Sequence, residues 1–137
     1  YVKQNILPFE VHDRHGLTHH DLLQLMGKSA VYLGNSISDG MPNTLLEAII
    51  MGAFPIQSNP GNVTAEIITE GENGFLIENP NDDNAISNLI IKVLQQPERL
   101  QKAFKKKKKI AKERLDYAVN QQKIVALYHQ IENDTCE

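Results

Sequence analysis

Short β-rich runs alternate with helical patterns along this sequence, and this alternation restricts the fold more than any other feature. Residues 5–9, 30–34, 54–58 and 73–77 read as short strands, and amphipathic helical spacing separates or follows them. Such alternation predicts a three-layer α/β fold, with a parallel sheet between helices on both faces. Because doubly wound sheets commonly have about five or six strands, we expect the remaining strands to precede Tyr1.

Local capping chemistry marks where the helices begin and end. Thr18 followed by Asp21 is typical of a capping box, and Gly27 is expected to close that first helix. Gly52 is expected to end the helix that starts near Pro42. Three later helices are predicted to begin further along the chain. Thr64 is expected to cap a short helix, Asn81 or Asp82 to start the next one, and Pro97 to lie in the first turn of a third.

Composition is that of a single-domain globular protein. The 137 residues are 41% hydrophobic and 23% charged, which fits one domain over residues 1–137 with C-terminal helices at 98–137. The sequence has no run of about eighteen apolar residues and no signal-peptide pattern. Cys136 is the sole cysteine, which argues against a disulfide framework and a cysteine metal site.

Charge is distributed unevenly along the chain. Residues 1–97 carry 4 Lys/Arg against 11 Asp/Glu, a net −7, whereas residues 98–137 carry 10 against 6, a net +4. Five consecutive lysines at 105–109 are interpreted as a solvated helix face, with attraction to a membrane surface as the alternative. No aromatic residues interleave them for base stacking, so no nucleic-acid partner is predicted. Helical spacing predicts that Lys107 lies over the edge of the core.

Four histidines lie close together near the start of the first predicted helix: His12, His15, His19 and His20. Imidazole is a common metal ligand, but the acidic residues around these histidines do not have the spacing of a known site. We therefore predict neither a metal site nor a cofactor.

The stretch NSISDGMPNTLLEAIIMG at residues 35–52 has a carboxylate, Glu47, in the middle of an apolar helical segment. Burying a charge is costly unless a specific group meets it. Gly40 permits a tight turn before the helix, and the unpaired amides of a first helical turn favour a phosphate. Further along, Glu47 would accept two charge-assisted hydrogen bonds from a ribose diol. The alternatives are that Glu47 caps or salt-bridges within the fold and that Asp39 is a simple turn or helix-start residue.

These residues resemble a known family. The pattern S-x-S-D-G-M-P-N-T-L-L-E-A-x-x-M-G at 36–52 is similar to the signature of retaining GT-B glycosyltransferases of group 1 (family 4), whose two acidic residues are separated by seven others. In this chain the pair is Asp39 and Glu47. The segments PGNVTAE and NGFLI, within residues 60–77, also resemble that family, although Glu66 is more typical of a first helical turn than of a ligand-binding residue.

The resemblance implies the Rossmann-like, donor-binding C-terminal half of a GT-B fold. It implies that Asp39 is the catalytic residue that contacts the transferred sugar at the reaction centre. The backbone amides of Gly40, Met41 and Asn43 would hold the diphosphate of the donor. Glu47 would bind the ribose.

The resemblance also implies a reaction and a setting. The donor would be a nucleotide-diphosphate sugar, and the acceptor a glycan or a lipid-linked molecule in bacterial surface polysaccharide synthesis. The acceptor would bind to an N-terminal domain outside this chain, so the chain alone is expected to transfer no sugar. The implied location is the cytoplasm, with peripheral contact at the inner face of the plasma membrane. The alternatives are a GT-B-fold nucleotide-sugar epimerase, against which the Asp39/Glu47 spacing argues, and a non-catalytic nucleotide-binding or interaction module.

Overall fold

The structure, a computed structural model, describes residues 10–13 and 15–134, without the side chains of 106–108, 133 and 134. Its helices and strands are α1 (His19–Lys28), β1 (Val31–Gly34), α2 (Asn43–Met51), β2 (Phe54–Ser58), β3 (Phe75–Ile77), α3 (Asp83–Leu94), α4 (Pro97–Ile110) and α5 (Tyr117–Asp134). Two 3-10 turns, at Pro60–Asn62 and Thr64–Glu66, lie between β2 and β3, and a π-helical turn at Ala111–Leu115 joins α4 to α5. The strand predicted at 5–9 and any strand before Tyr1 lie outside the described residues.

The three strands form one parallel sheet in the order β1-β2-β3. At their carboxyl ends, Gly34 of β1 lies opposite Gln57 of β2, and Ser58 of β2 lies opposite Ile77 of β3. Because the strands are parallel, the loops that follow them meet at one edge of the sheet. Open α/β sheets bind their ligands at this edge.

Helices cover both faces of the sheet, which confirms the predicted three-layer architecture. On one face, side chains of β2 and β3 pack against α3 and α4 in one buried cluster: Phe54, Ile56, Phe75, Ile77, Ile86, Val93 and Ala103. On the other face, Tyr32 of β1 and Leu76 of β3 pack against Leu45 and Ile49 of α2. The alternation of side chains along each strand therefore divides the apolar residues between the two helical layers.

Helix α4 extends from one helical layer to the other. Ala103 belongs to the cluster beneath α3, whereas Ile110 packs with Leu45 of α2 in the cluster on the opposite face. Between them, Phe104 lies against Gly52, which ends α2 with a left-handed φ of 99°. A Cβ at Gly52 would lie 2.7 Å from the Phe104 ring. Both the backbone conformation and the packing therefore favour glycine at this position.

Most of the predicted helix boundaries are confirmed. Thr18 and Asp21 form a complete capping box at α1, and the hydrogen bonds from Thr18 lower the pKa of the Asp21 carboxyl. Asp82 caps α3 by accepting a hydrogen bond of 2.9 Å from the Ala85 amide. Pro97 is the first residue of α4.

Two predicted boundaries are wrong. Helix α1 continues through Gly27, and the Ser29 amide closes it by donating to the carbonyl of Met26 at 3.1 Å. Thr64 is buried and caps no helix with its side chain. Its hydroxyl instead donates to the carbonyl of Ser58 at 3.1 Å, which ties the second 3-10 turn to the end of β2.

The basic segment lies at the end of α4. The side chain of Lys107 lies outside the described residues, so its predicted position over the core edge remains a prediction. Lys109 is exposed, and its Nζ lies 3.9 Å from the carboxylate of Glu113 one turn further along. No helix in the described part of the chain is long and apolar enough to cross a membrane.

Candidate functional site

The loop between β1 and α2, residues 35–42, is anchored at its start. The Asn35 side chain donates to the carbonyl of Pro80 after β3 at 2.8 Å. The Ser36 amide donates to Oγ of the buried Ser58 at the end of β2, also at 2.8 Å. The loop that carries Asp39 is thus attached to the end of β2 and to the segment that follows β3.

Asp39 and Gly40 lie at the exposed part of this loop. Within the described residues, the Asp39 carboxylate has no protein partner. The φ of Gly40 is not positive, so the turn here does not use the left-handed conformation that favours glycine. A Cβ at Gly40 would meet no atom within 4 Å, so the space beside this backbone is open to a ligand.

The start of α2 presents unpaired amides. The carbonyl of Pro42 accepts the first helical hydrogen bonds, from the Leu45 amide at 3.1 Å and from the following amide at 3.3 Å. The amides of Gly40, Met41 and Asn43, predicted to hold a diphosphate, donate to no acceptor among the described residues. These N–H groups lie at the positive end of the helix dipole, which favours an anion.

Two side-chain contacts attach this helix start to the rest of the fold. Met41 is half-buried and packs against the cluster that contains Leu45, so its backbone rather than its side chain is available to a ligand. The Tyr32 hydroxyl lies 2.9 Å from Oγ1 of Thr44 and thereby joins β1 to the first turn of α2. This contact and the packing of Met41 fix the helix start relative to the sheet.

Glu47 lies one turn beyond Thr44 and is flanked by the buried residues Leu45, Ala48 and Ile49. Its side chain keeps 27% of its exposure, so the carboxylate lies at the edge of the apolar layer. The Oε1 atom of Glu47 lies 2.9 Å from Nε2 of His19, at the start of α1. Glu47 therefore has a hydrogen-bond partner within the fold, in line with the alternative interpretation, and the ribose contact remains a prediction.

His19 is the site residue that sequence reasoning missed. The clustering of the histidines in sequence raises only the question of a metal site. In the described part of the chain, no group of three His, Cys, Asp or Glu residues could hold a metal ion. A usable signal was present, because His19 precedes Leu22, Leu23 and Met26 at helical spacing on the face of α1 that packs against α2. That spacing predicts that its ring faces α2.

A second feature of the carboxyl edge is a cavity of about 200 Å³. Residues from the segments after all three strands line it: Ser36, Ile37, Asn59, Pro60, Ile77, Glu78 and Pro80. The sequence alone does not predict this cavity, because the segments that line it lie far apart in the chain. The cavity lies beside the anchored start of the 35–42 loop, since Ser36 belongs to both.

The fold is that of an α/β domain with a parallel sheet, and the candidate site is a helix start with unpaired amides at the carboxyl edge of that sheet. The sequence profile of the family described as glycosyl transferases group 1 matches residues 9–111, and the chain belongs to this family. A sequence search of curated proteins gives no significant match.

Solved structures similar to this chain include two of HepE from Anabaena. One is a crystal structure in complex with UDP, with 23% sequence identity, a TM-score of 0.67, and coverage of 77% of this chain and 29% of that chain. The other is in complex with UDP-glucose, with 23% identity, a TM-score of 0.68, and coverage of 80% and 30%. The observed fold agrees with the predicted Rossmann-like half of a GT-B architecture. The chain spans less than a third of the length of these relatives.

Proposed function

We propose that this chain is the donor-binding domain of a retaining glycosyltransferase that uses a nucleotide-diphosphate sugar. The observation that carries the proposal is the arrangement around α2, where Asp39 and Glu47 lie on either side of a helix start with unpaired amides. Membership of the glycosyl transferases group 1 family and the likeness to a protein solved with UDP and with UDP-glucose support the same donor class.

The proposed donor site begins with the diphosphate. Its oxygens accept hydrogen bonds from the amides of Gly40, Met41 and Asn43, where the helix dipole adds to the attraction. The open space beside Gly40 allows the phosphate to approach the backbone closely.

Glu47 binds the ribose in this proposal. Its Oε1 atom is engaged by His19, and its Oε2 atom has no protein partner among the described residues. A carboxylate has about four lone-pair sites, so the contact with His19 leaves room for the two hydroxyl groups of a ribose.

Asp39 acts at the transferred sugar. A retaining transfer passes through a transition state in which positive charge develops on the sugar ring, and a fixed carboxylate stabilises that charge. The exposed position of Asp39 leaves its carboxylate accessible to a donor lying across the carboxyl edge. The acceptor binds to a domain outside this chain, so the chain alone transfers no sugar.

The proposed setting is bacterial surface polysaccharide synthesis in the cytoplasm, at the inner face of the plasma membrane, with a glycan or lipid-linked acceptor. The net charge of +4 over residues 98–137 favours contact with anionic lipid. The contact of Lys109 with Glu113 favours the other interpretation, in which the lysines form a solvated helix face. Co-sedimentation with vesicles that contain about 33 mol% phosphatidylglycerol distinguishes membrane contact from a solvated helix face. Only membrane contact predicts binding to the vesicles that salt abolishes.

Calorimetry with a panel of nucleotides tests the donor class. We expect one of UDP, GDP, ADP or CDP to bind the protein, and dTDP, whose deoxyribose lacks the 2′-hydroxyl, to bind less tightly. The matching nucleoside should bind far more weakly than the diphosphate, because the diphosphate supplies the contacts to the helix start. The nucleoside separates a diphosphate site from general affinity for the base. A folded protein that binds none of the five diphosphates contradicts the proposal.

A further inference from the structure

The partner of Glu47 belongs to a helix that the donor site, as proposed, does not otherwise use. His19 is the first residue of α1, and its Nε2 atom lies 2.9 Å from Oε1 of Glu47, 28 residues further along the chain. The His19 side chain is 67% exposed and the Glu47 side chain is 27% exposed, so the contact lies at the surface and the ring is the more exposed partner.

Packing between α1 and α2 fixes this contact. Met26 of α1 is buried against Ala48 of α2, and a Cβ at Gly27 would lie 3.0 Å from the end of the Met51 side chain. Because His19 lies two turns before Met26 on the same face, this register brings its ring to Glu47. The capping box of Thr18 holds the backbone of this first turn in place.

The neighbouring histidine lies in a different environment. The Nε2 atom of His20 lies 2.8 Å from Nε2 of Gln24 on its own helix, and His20 makes no contact with Glu47. The two histidines are adjacent in sequence and both exposed, so His20 provides a matched control for changes at His19.

We propose that His19 is a positioning residue for donor binding, which acts by holding the Glu47 carboxylate in its binding rotamer. This inference rests on the proposed function of Glu47 as the ribose ligand. The Nε2–H group of His19 donates to Oε1 and fixes the plane of the carboxylate, so Oε2 stays directed toward the ligand. Without that bond, the glutamate side chain has several staggered rotamers to occupy at its exposed end, and ligand binding must select one of them.

Calorimetric titration of the protein with the nucleoside diphosphate that binds best, from the five named above, tests the role of His19. His19→Ala should weaken binding by about 3- to 10-fold, a usual range for coupling between residues in contact. His19→Gln should restore most of the affinity, because the Gln Nε2–H group reaches nearly the same point as the histidine Nε2–H. His20→Ala should bind as the wild type does.

A double-mutant cycle separates positioning from a general structural role. His19→Ala should have no further effect on affinity in a protein that already carries Glu47→Ala, because the carboxylate it holds is gone. A purely structural role of His19 predicts the same loss in both backgrounds. Melting temperatures of all the variants establish that they are folded.

Three outcomes overturn the inference. The first is wild-type affinity in His19→Ala, and the second is a loss that persists unchanged in the Glu47→Ala background. The third is tighter binding by His19→Ala, which would show that His19 blocks the carboxylate rather than positions it. If the wild-type protein binds no diphosphate, the proposed function fails and this inference fails with it. If the wild type binds a diphosphate but the effect of His19→Ala does not depend on Glu47, only the inference is refuted.

Discussion

Replacing Glu47 with alanine tests the donor site most directly. If the carboxylate accepts two hydrogen bonds from a ribose diol, its loss removes two charge-assisted bonds, each worth about 1.5–3 kcal/mol when fully buried. Glu47 keeps 27% of its side-chain exposure, so solvent weakens both bonds. We therefore expect a loss of about 2–3 kcal/mol, or roughly 30- to 150-fold in the dissociation constant of the nucleoside diphosphate.

The stability of this variant should change much less than its affinity. The contact that Glu47 makes with His19 involves a ring that is 67% exposed, and such surface pairs contribute about 0–1 kcal/mol. The variant should therefore remain folded, and calorimetry on it reports the ligand contact.

A modified ligand provides the matched control for Glu47. A 2′,3′-dideoxynucleoside diphosphate lacks the two hydroxyl groups, so it should bind the wild type about as weakly as the natural ligand binds Glu47→Ala. Combining the two changes should cause little further loss, because they remove the same hydrogen bonds. The ribose assignment is refuted if the folded variant binds the natural diphosphate within about twofold of the wild type.

Three further predictions address the catalytic residue, the core and the first helix. In a protein that also carries the acceptor-binding domain, Asp39→Asn should lower kcat by at least about 100-fold with little change in nucleotide affinity. Asp39→Glu should be tolerated. Equal losses of rate and affinity in Asp39→Asn would argue against a catalytic role. Gly52→Ala should destabilise the protein by about 1–3 kcal/mol in urea unfolding, because it strains a left-handed residue and displaces Phe104. Asp21→Asn should lower the melting temperature at neutral pH. The difference from the wild type should shrink as the pH falls below 3.8, because a carboxyl with a lowered pKa stabilises the fold only while it is ionised. A difference in melting temperature that is constant over pH would contradict this.

The parts of the fold that the sequence predicted correctly depend on local chemistry. The Thr18 side chain pairs with Asp21 three residues along, and the Asp82 side chain accepts from the amide of Ala85, also three residues along. Gly52 adopts the left-handed conformation that commonly ends a helix. Such contacts involve neighbours in the chain, so spacing alone identifies them. The same reasoning located the helix start after Pro42, which is where the candidate phosphate site lies.

The parts that were missed depend on distant contacts. The hydroxyl of Thr64 suits a helix cap, but a carbonyl at the end of β2 competes for it, and that carbonyl is near only in the folded chain. Similarly, the apolar sequence around Glu47 predicts burial of a charge but does not identify His19, which lies 28 residues earlier on another helix. Pairings of this kind follow from the packing of α1 on α2 and not from either helix alone.

The anchoring of the loop after β1 affects the entropy of ligand binding. Ordering the backbone of one residue costs about 1–2 kcal/mol, so a long free loop would lose much of its contact energy when it closed on a ligand. Here the hydrogen bonds of Asn35 and Ser36 hold the first two residues, and α2 holds the chain from Asn43 onward. Met41 packs against the apolar cluster and the Pro42 carbonyl accepts the first hydrogen bonds of α2, so mainly residues 37–40 remain to be ordered when a ligand binds beside Asp39. The buried hydroxyl of Ser58, which itself contacts no solvent, therefore helps to keep the loop preorganised.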